Sequence, residues 1–90
     1  MASILPQPSE SVVEALTQTL TPYIGANMAR SAVRAQKERL GFEGAVMSGE
    51  QAEGLITKVG NGLNVFLGRE RAAQVVEEMR RTLAGGDARA

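Results

Sequence analysis

The chain predicts an all-α fold: a compact four-helix domain made of two duplicated αα-hairpins related by pseudo-two-fold symmetry. Three observations carry this expectation. Apolar residues recur at helical spacing in four separate stretches. Tyr23-Ile24-Gly25 returns as Phe66-Leu67-Gly68, and the register then holds without a gap, pairing Ala29 with Ala72, Val33 with Val76, Lys37 with Arg80 and Leu40 with Leu83. One helix–turn–helix unit cannot bury its own apolar face, whereas two can bury each other's. Finally, two Phe, one Tyr and no Trp leave the core to Leu, Val, Ile, Ala and Met, which suit close helix–helix contact.

Ninety residues set one domain. A chain of this size buries about 60–65% of its unfolded surface, which makes it marginal alone. Oligomerisation is a common remedy. The expected organisation is an irregular N-terminal arm over 1–8, a single helical domain over 9–84 and a disordered tail over 85–90. Repeat one covers 9–41 and repeat two covers 49–84.

Helix one is predicted from Ser9 or Ser11 to Leu20. Ser11-x-x-Glu14 has the spacing of a capping box. Val12, Val13, Leu16 and Leu20 form its stripe, and Thr21-Pro22 is expected to end it. Helix two begins at Gly25 and ends at Leu40, with Gly41 as a left-handed cap. Met28, Ala29, Ala32, Val33, Gln36 and Leu40 share its inner face, and Arg34 can pair with Glu38. Phe42 to Met47 is expected to pack down as a lid. Helix three starts after Ser48, whose spacing to Gln51 gives a second capping box, and Gly60-Asn61-Gly62 should stop it. Gly54 costs up to about 1 kcal/mol inside a helix, so a close helix contact is expected there. Helix four runs from Arg69 to Leu83, with Glu77 in reach of Arg81. Upstream of the aromatic the repeats align less well. Ser9-Glu10 faces Gly49-Glu50, and the second copy needs three extra residues near Gly60-Asn61-Gly62.

The catalytic inventory is poor. No His and no Cys are present, and Asp87 is the only Asp, so Ser-His-Asp and Cys-His chemistry is excluded. Glu50, Glu53, Glu77 and Glu78 read as solvated helix charge. No Glu-x-x-His di-metal motif and no calcium-loop pattern occurs. The chain is therefore expected to be no enzyme and to take no cofactor or metal. Gly68-Arg69 at a helix start could attract an anion. Its copy Gly25-Ala26 lacks the arginine, which favours a structural role for both glycines.

Ten basic and ten acidic residues cancel, so nothing draws the chain toward nucleic acid or anionic lipid at long range. Arg30, Arg34 and Lys37 nevertheless form one helical stripe, extended by Arg39. That stripe is the candidate nucleic-acid face, in the manner of a recognition helix. The matching positions of the second copy are Ala73, Glu77 and Arg80, so the basic character is not repeated. Ile4 and Leu5 on the arm are the candidate partner-docking residues, against packing on the domain's own surface. No apolar run reaches the length of a membrane span. Residues 1–8 do not read as a signal peptide, so a cytoplasmic location is the default expectation.

Tyr23-Ile24-Gly25, followed by a helix with Ala and Val positions, resembles the start of a small helical module of bacterial signalling and motility proteins. That module opens with Tyr-Ile-Gly-Pro, where proline suits the first helical position. Here Ala26 replaces the proline. The likeness covers residues 13–40, with an echo over 63–84. It implies a regulatory or scaffolding role and transfers no catalytic residue. The expected function is a non-catalytic protein–protein interaction module, a small bacterial signalling adapter or scaffold that forms a homodimer. The alternative is a DNA-binding regulator that uses the basic face of helix two.

Overall fold

Two glycines set the path of the chain. In this computed structural model, which describes residues 4–85, Gly25 has φ 87° and ψ 155° and Gly68 has φ 85° and ψ 160°. Each is the only residue between two helices. α1 (Ser9–Ile24) passes through Gly25 into α2 (Ala26–Leu40), and α3 (Gly49–Leu67) passes through Gly68 into α4 (Arg69–Gly85). The Gly25 amide donates to the Thr21 carbonyl at 2.9 Å, while its own carbonyl accepts from Ala29 at 2.9 Å. Gly68 does the same with Asn64 at 3.1 Å and Ala72 at 3.0 Å. A single residue thus closes one helix and opens the next, which satisfies two orphan groups without a loop.

The result is the expected four-helix domain. α1 packs on α2 and α3 on α4; the hairpins then meet through α1 with α4 and α2 with α3. The core is aliphatic. Val12, Val13, Leu16 and Leu20 of α1 meet Ala29 and Val33 of α2 and Ala52, Leu55, Ile56, Val59 and Leu63 of α3, with Ala72, Val75, Met79 and Leu83 of α4. Met28, expected inside, is exposed.

The repeat is more regular than the sequence suggested. The constant offset that relates Gly25 to Gly68 also relates Val12 to Leu55, Val13 to Ile56, Leu16 to Val59 and Leu20 to Leu63, all buried. No insertion lies near Gly60. The three extra residues sit at the start of α3, which has 19 residues against 16 in α1. They are Gly49, Glu50 and Gln51, and they build the cap: Gln51 N–H donates to Ser48 Oγ at 3.1 Å, and Ser48 N–H donates to Gln51 Oε1 at 3.0 Å. Gly60-Asn61-Gly62 does not stop the helix, because burial of Leu63 one turn later outweighs the propensity cost of two glycines. Gly60 is needed where it is, since a Cβ there would collide with Val76 of α4. Gly54 has no such neighbour, and the close contact expected there does not exist.

α1 likewise outruns its predicted end. Pro22 lies inside its last turn. The carbonyl that proline leaves without a donor belongs to Gln18, an exposed position open to water. The Ser11–Glu14 capping box does not form. Ser9 holds the helix start instead, its amide donating to Ala45 O at 2.8 Å and its hydroxyl to Gly44 O at 2.7 Å.

The arm is not irregular throughout. β1 (Gln7–Pro8) pairs antiparallel with β2 (Val46–Met47), Gln7 opposite Met47. Gln7 Nε2 also donates to Leu83 O at 3.1 Å, which ties the arm to the end of α4. Met47 is buried, as a lid residue should be, whereas Val46 points out. The tail expected over 85–90 falls outside the described residues apart from Gly85, which belongs to α4.

Gly25 and Gly68 occupy backbone conformations open essentially to glycine alone, where another residue costs on the order of 1–3 kcal/mol. Gly25→Ala and Gly68→Ala should each lower unfolding free energy by that amount, and by similar amounts, in urea titrations. Gly54→Ala should act oppositely and add about 0.5–1 kcal/mol, because its Cβ meets only open space.

Candidate interaction surfaces

The basic stripe is largely spent within the molecule. Arg30 reaches Glu14 and Arg34 reaches Glu10, each at 3.2 Å across the α1–α2 hairpin. The Arg34–Glu38 pair does not form, because Glu10 on the neighbouring helix takes the guanidinium. All four side chains remain about half exposed or more, so each pair contributes at most about 1 kcal/mol. Their effect is on charge: two carboxylates lie against two of the three cations of the candidate nucleic-acid face. Lys37 is half-buried and makes no ion pair among the described residues.

The second hairpin is tied in the same manner. Arg80 Nε donates to both carboxylate oxygens of Glu53 at 3.1 Å, and its Nη1 donates to Glu77 at 2.7 Å. Glu53 is the counterpart of Glu10, and Arg80 of Lys37. The Glu77–Arg81 pair expected from sequence gives way to Glu77–Arg80.

Arg39 does not extend the stripe. It lies on the other side of α2, where it lines a groove with Lys58 of α3. Gly68 and Arg69 border another open groove at the α3–α4 turn. The matching conformation of Gly25, which lacks the arginine, shows that these glycines serve the turn.

Ile4 and Leu5 part company. Ile4 is only 8% exposed and belongs to the core cluster, and a side chain at Gly49 would collide with its carbonyl oxygen. It anchors the arm and presents no docking surface. Leu5 is 69% exposed beside a groove lined by Pro8, Ser11 and Leu83. Other large apolar side chains left in solvent are Val46, Met28, Val65 at 85% and Phe66 at 60%. Val65 and Phe66 were not singled out as surface residues from the sequence. The signal was in the alignment, since Phe66 lacks the hydroxyl that holds its counterpart Tyr23.

Tyr23 is packed against the core, and its hydroxyl donates to Glu78 Oε2 at 2.9 Å. That bond requires the phenol proton. Together with partial burial and the Glu78 charge it raises the Tyr23 pKa above the ordinary 10.0, against a smaller opposing effect of Arg71. Among the described residues no three carboxylates gather as a metal site, and no helix is long and apolar enough to cross a membrane. Comparison of the chain with protein families, curated proteins and solved structures finds no match.

The tyrosine supplies a clean readout, being the only one in the chain, with no Trp to interfere. Its phenolate absorbance should titrate above the free-tyrosine range, and Glu78→Gln should bring the midpoint down. The folded state holds this proton more tightly than the unfolded state. Stability from the bond is therefore full below pH 10 and falls as pH rises through the folded pKa. Tyr23→Phe should remove that alkaline loss; an unchanged pH profile of urea unfolding would refute the assignment.

Proposed function

We propose that the chain is a non-catalytic protein–protein interaction module, a small bacterial signalling adapter or scaffold that self-associates. One observation carries the reading. Large apolar side chains stand in solvent on a molecule whose own core is already filled: Leu5 and Val46 by the two-stranded ribbon, and Met28, Val65 and Phe66 on the helices. Val65 and Phe66 are adjacent in the last turn of α3, and exposed apolar area that gathers rather than scatters marks interaction sites. The catalytic reading has no equivalent support: Glu53 and Glu77 are engaged with Arg80, and Glu78 with Tyr23. The DNA-binding alternative loses its main argument to the Arg30–Glu14 and Arg34–Glu10 pairs.

Self-association is assigned to the arm. Ile4 fixes the segment on the domain while Leu5, next to it, faces outward beside a groove of about 340 Å³. A clamped segment binds at lower entropic cost than a free tail.

Light scattering on a sizing column should give a mass above that of one 9.5 kDa chain. Leu5→Ser should shift the protein toward monomer with helicity and stability unchanged. Ile4→Ser should instead lower stability by about 2–4 kcal/mol, as truncation of a buried aliphatic does. A monomer at every concentration, unaffected by Leu5→Ser, would remove self-association from the reading.

A further inference from the structure

The pseudo-two-fold creates two equivalent seams, α1 against α4 and α2 against α3. The first is closed. Tyr23 bonds Glu78 at 2.9 Å, and the Thr19 and Thr82 hydroxyls meet at 3.4 Å. The repeat offset replaces Tyr23 by Phe66, Glu78 by Ala35, Thr19 by Gly62 and Thr82 by Arg39. Neither closing bond can form in the second seam. It is open instead: Arg39 and Gly62 line a groove of about 400 Å³ together with Lys58. Arg71, which acts electrostatically on Tyr23, has Met28 as its counterpart. The repeat therefore places exposed Phe66, Met28 and Ala35 at the positions that Tyr23, Arg71 and Glu78 hold in the first seam.

We propose that the α2–α3 seam is the docking groove for an acidic amphipathic helix of a partner protein. This rests on the interaction-module reading and names the occupant of one of its surfaces. The seam has two ends of different chemistry. Phe66 and Met28 make an apolar end. Arg39 and Lys58 make a basic end, and neither forms an ion pair among the described residues. Ala35 and Gly62 between them are small, so another helix can approach closely; no atom comes within 4 Å of a Cβ built on Gly62. An amphipathic helix lays apolar anchors one turn apart into such a groove. Carboxylates at one of its ends would meet Arg39 and Lys58. A second copy of this chain is the poorer occupant. Seam on seam would cover both cations and supply no carboxylate, and a covered, unpaired charge opposes binding.

The test uses fluorescence anisotropy with two labelled helical peptides of identical leucine spacing, one ending in glutamates and the other in lysines. The glutamate peptide should bind, more weakly as salt rises, and the lysine peptide should not. The double variant Arg39→Glu, Lys58→Glu should weaken the glutamate peptide roughly tenfold or more and admit the lysine peptide. Phe66→Ser should abolish binding, while Tyr23→Phe in the closed seam should leave it unchanged. Circular dichroism on each variant checks folding, and these exposed positions should retain it. Equal binding of both peptides, or indifference to charge reversal, overturns the proposal, as does conversion of a dimer to monomer by Phe66→Ser. Failure of both peptides with self-association lost in Leu5→Ser sinks the groove and spares the module. Failure of both peptides with a monomer throughout sinks both.

Discussion

A hairpin whose turn is a single residue has almost no freedom in how its helices cross. The residue must donate the last bond of one helix and accept the first of the next, so its φ and ψ are dictated. The required pair, near 87° and 155°, belongs to glycine. Everything larger in this structure follows from that constraint being met twice. Near-equal dihedrals at Gly25 and Gly68 give two hairpins whose first helices bury equivalent positions. Such hairpins can pack about a pseudo-two-fold and fill a shared core with Leu, Val, Ile, Ala and Met. Neither hairpin has enough apolar surface to stand without the other.

Symmetry of the backbone does not impose symmetry of the surface. Inside, the repeat is preserved as burial: each buried position of α1 from Val12 to Leu20 has a buried partner in α3 from Leu55 to Leu63. Thr17 and Gly60 show how far that tolerance goes. Both are buried at equivalent positions, yet Thr17 Oγ1 has no partner among the described residues while Gly60 admits Val76 of the facing helix. Outside, the copies have diverged. The α1–α4 seam holds a phenol, a carboxylate and two hydroxyls that satisfy one another, and the α2–α3 seam holds none of these. An exposed aromatic is unremarkable alone, but one whose duplicate is locked in place marks where the two halves ceased to do the same work.

The four helices, their inner faces and both glycine turns were legible from periodicity and from the repeated aromatic–aliphatic–glycine triplet. The departures from local propensity share a physical cause: tertiary packing overrides it. Gly60-Asn61-Gly62 has the composition of a stop, and Thr21-Pro22 that of an end. In both places burial of the next turn, through Leu63 or through Tyr23 and Ile24, carried the helix onward. Because α3 runs through Gly60-Asn61-Gly62, its three extra residues lie at its start and not there. The candidate surface was less legible, because charge pairing lies between elements. Arg30 and Arg34 form a basic stripe only until α1 brings Glu14 and Glu10 against it. Ile4 read as half of a docking pair only until Gly49 closed over its carbonyl.

That neutralised stripe also bears on how the molecule can recognise anything. With ten charges of each sign and the hairpin faces internally paired, long-range attraction is small. Recognition must then come from short-range fit at places where pairing is incomplete. Among the described residues the α2–α3 seam combines two such conditions, unpaired cations at Arg39 and Lys58 and uncovered apolar area at Phe66 and Met28. In the docking we propose, charge on this surface selects the partner and apolar contact holds it. The same division appears within the fold, where Arg80 of α4 pairs with Glu53 of α3 near the surface while Ile56, Val59 and Val75 supply the buried apolar contact.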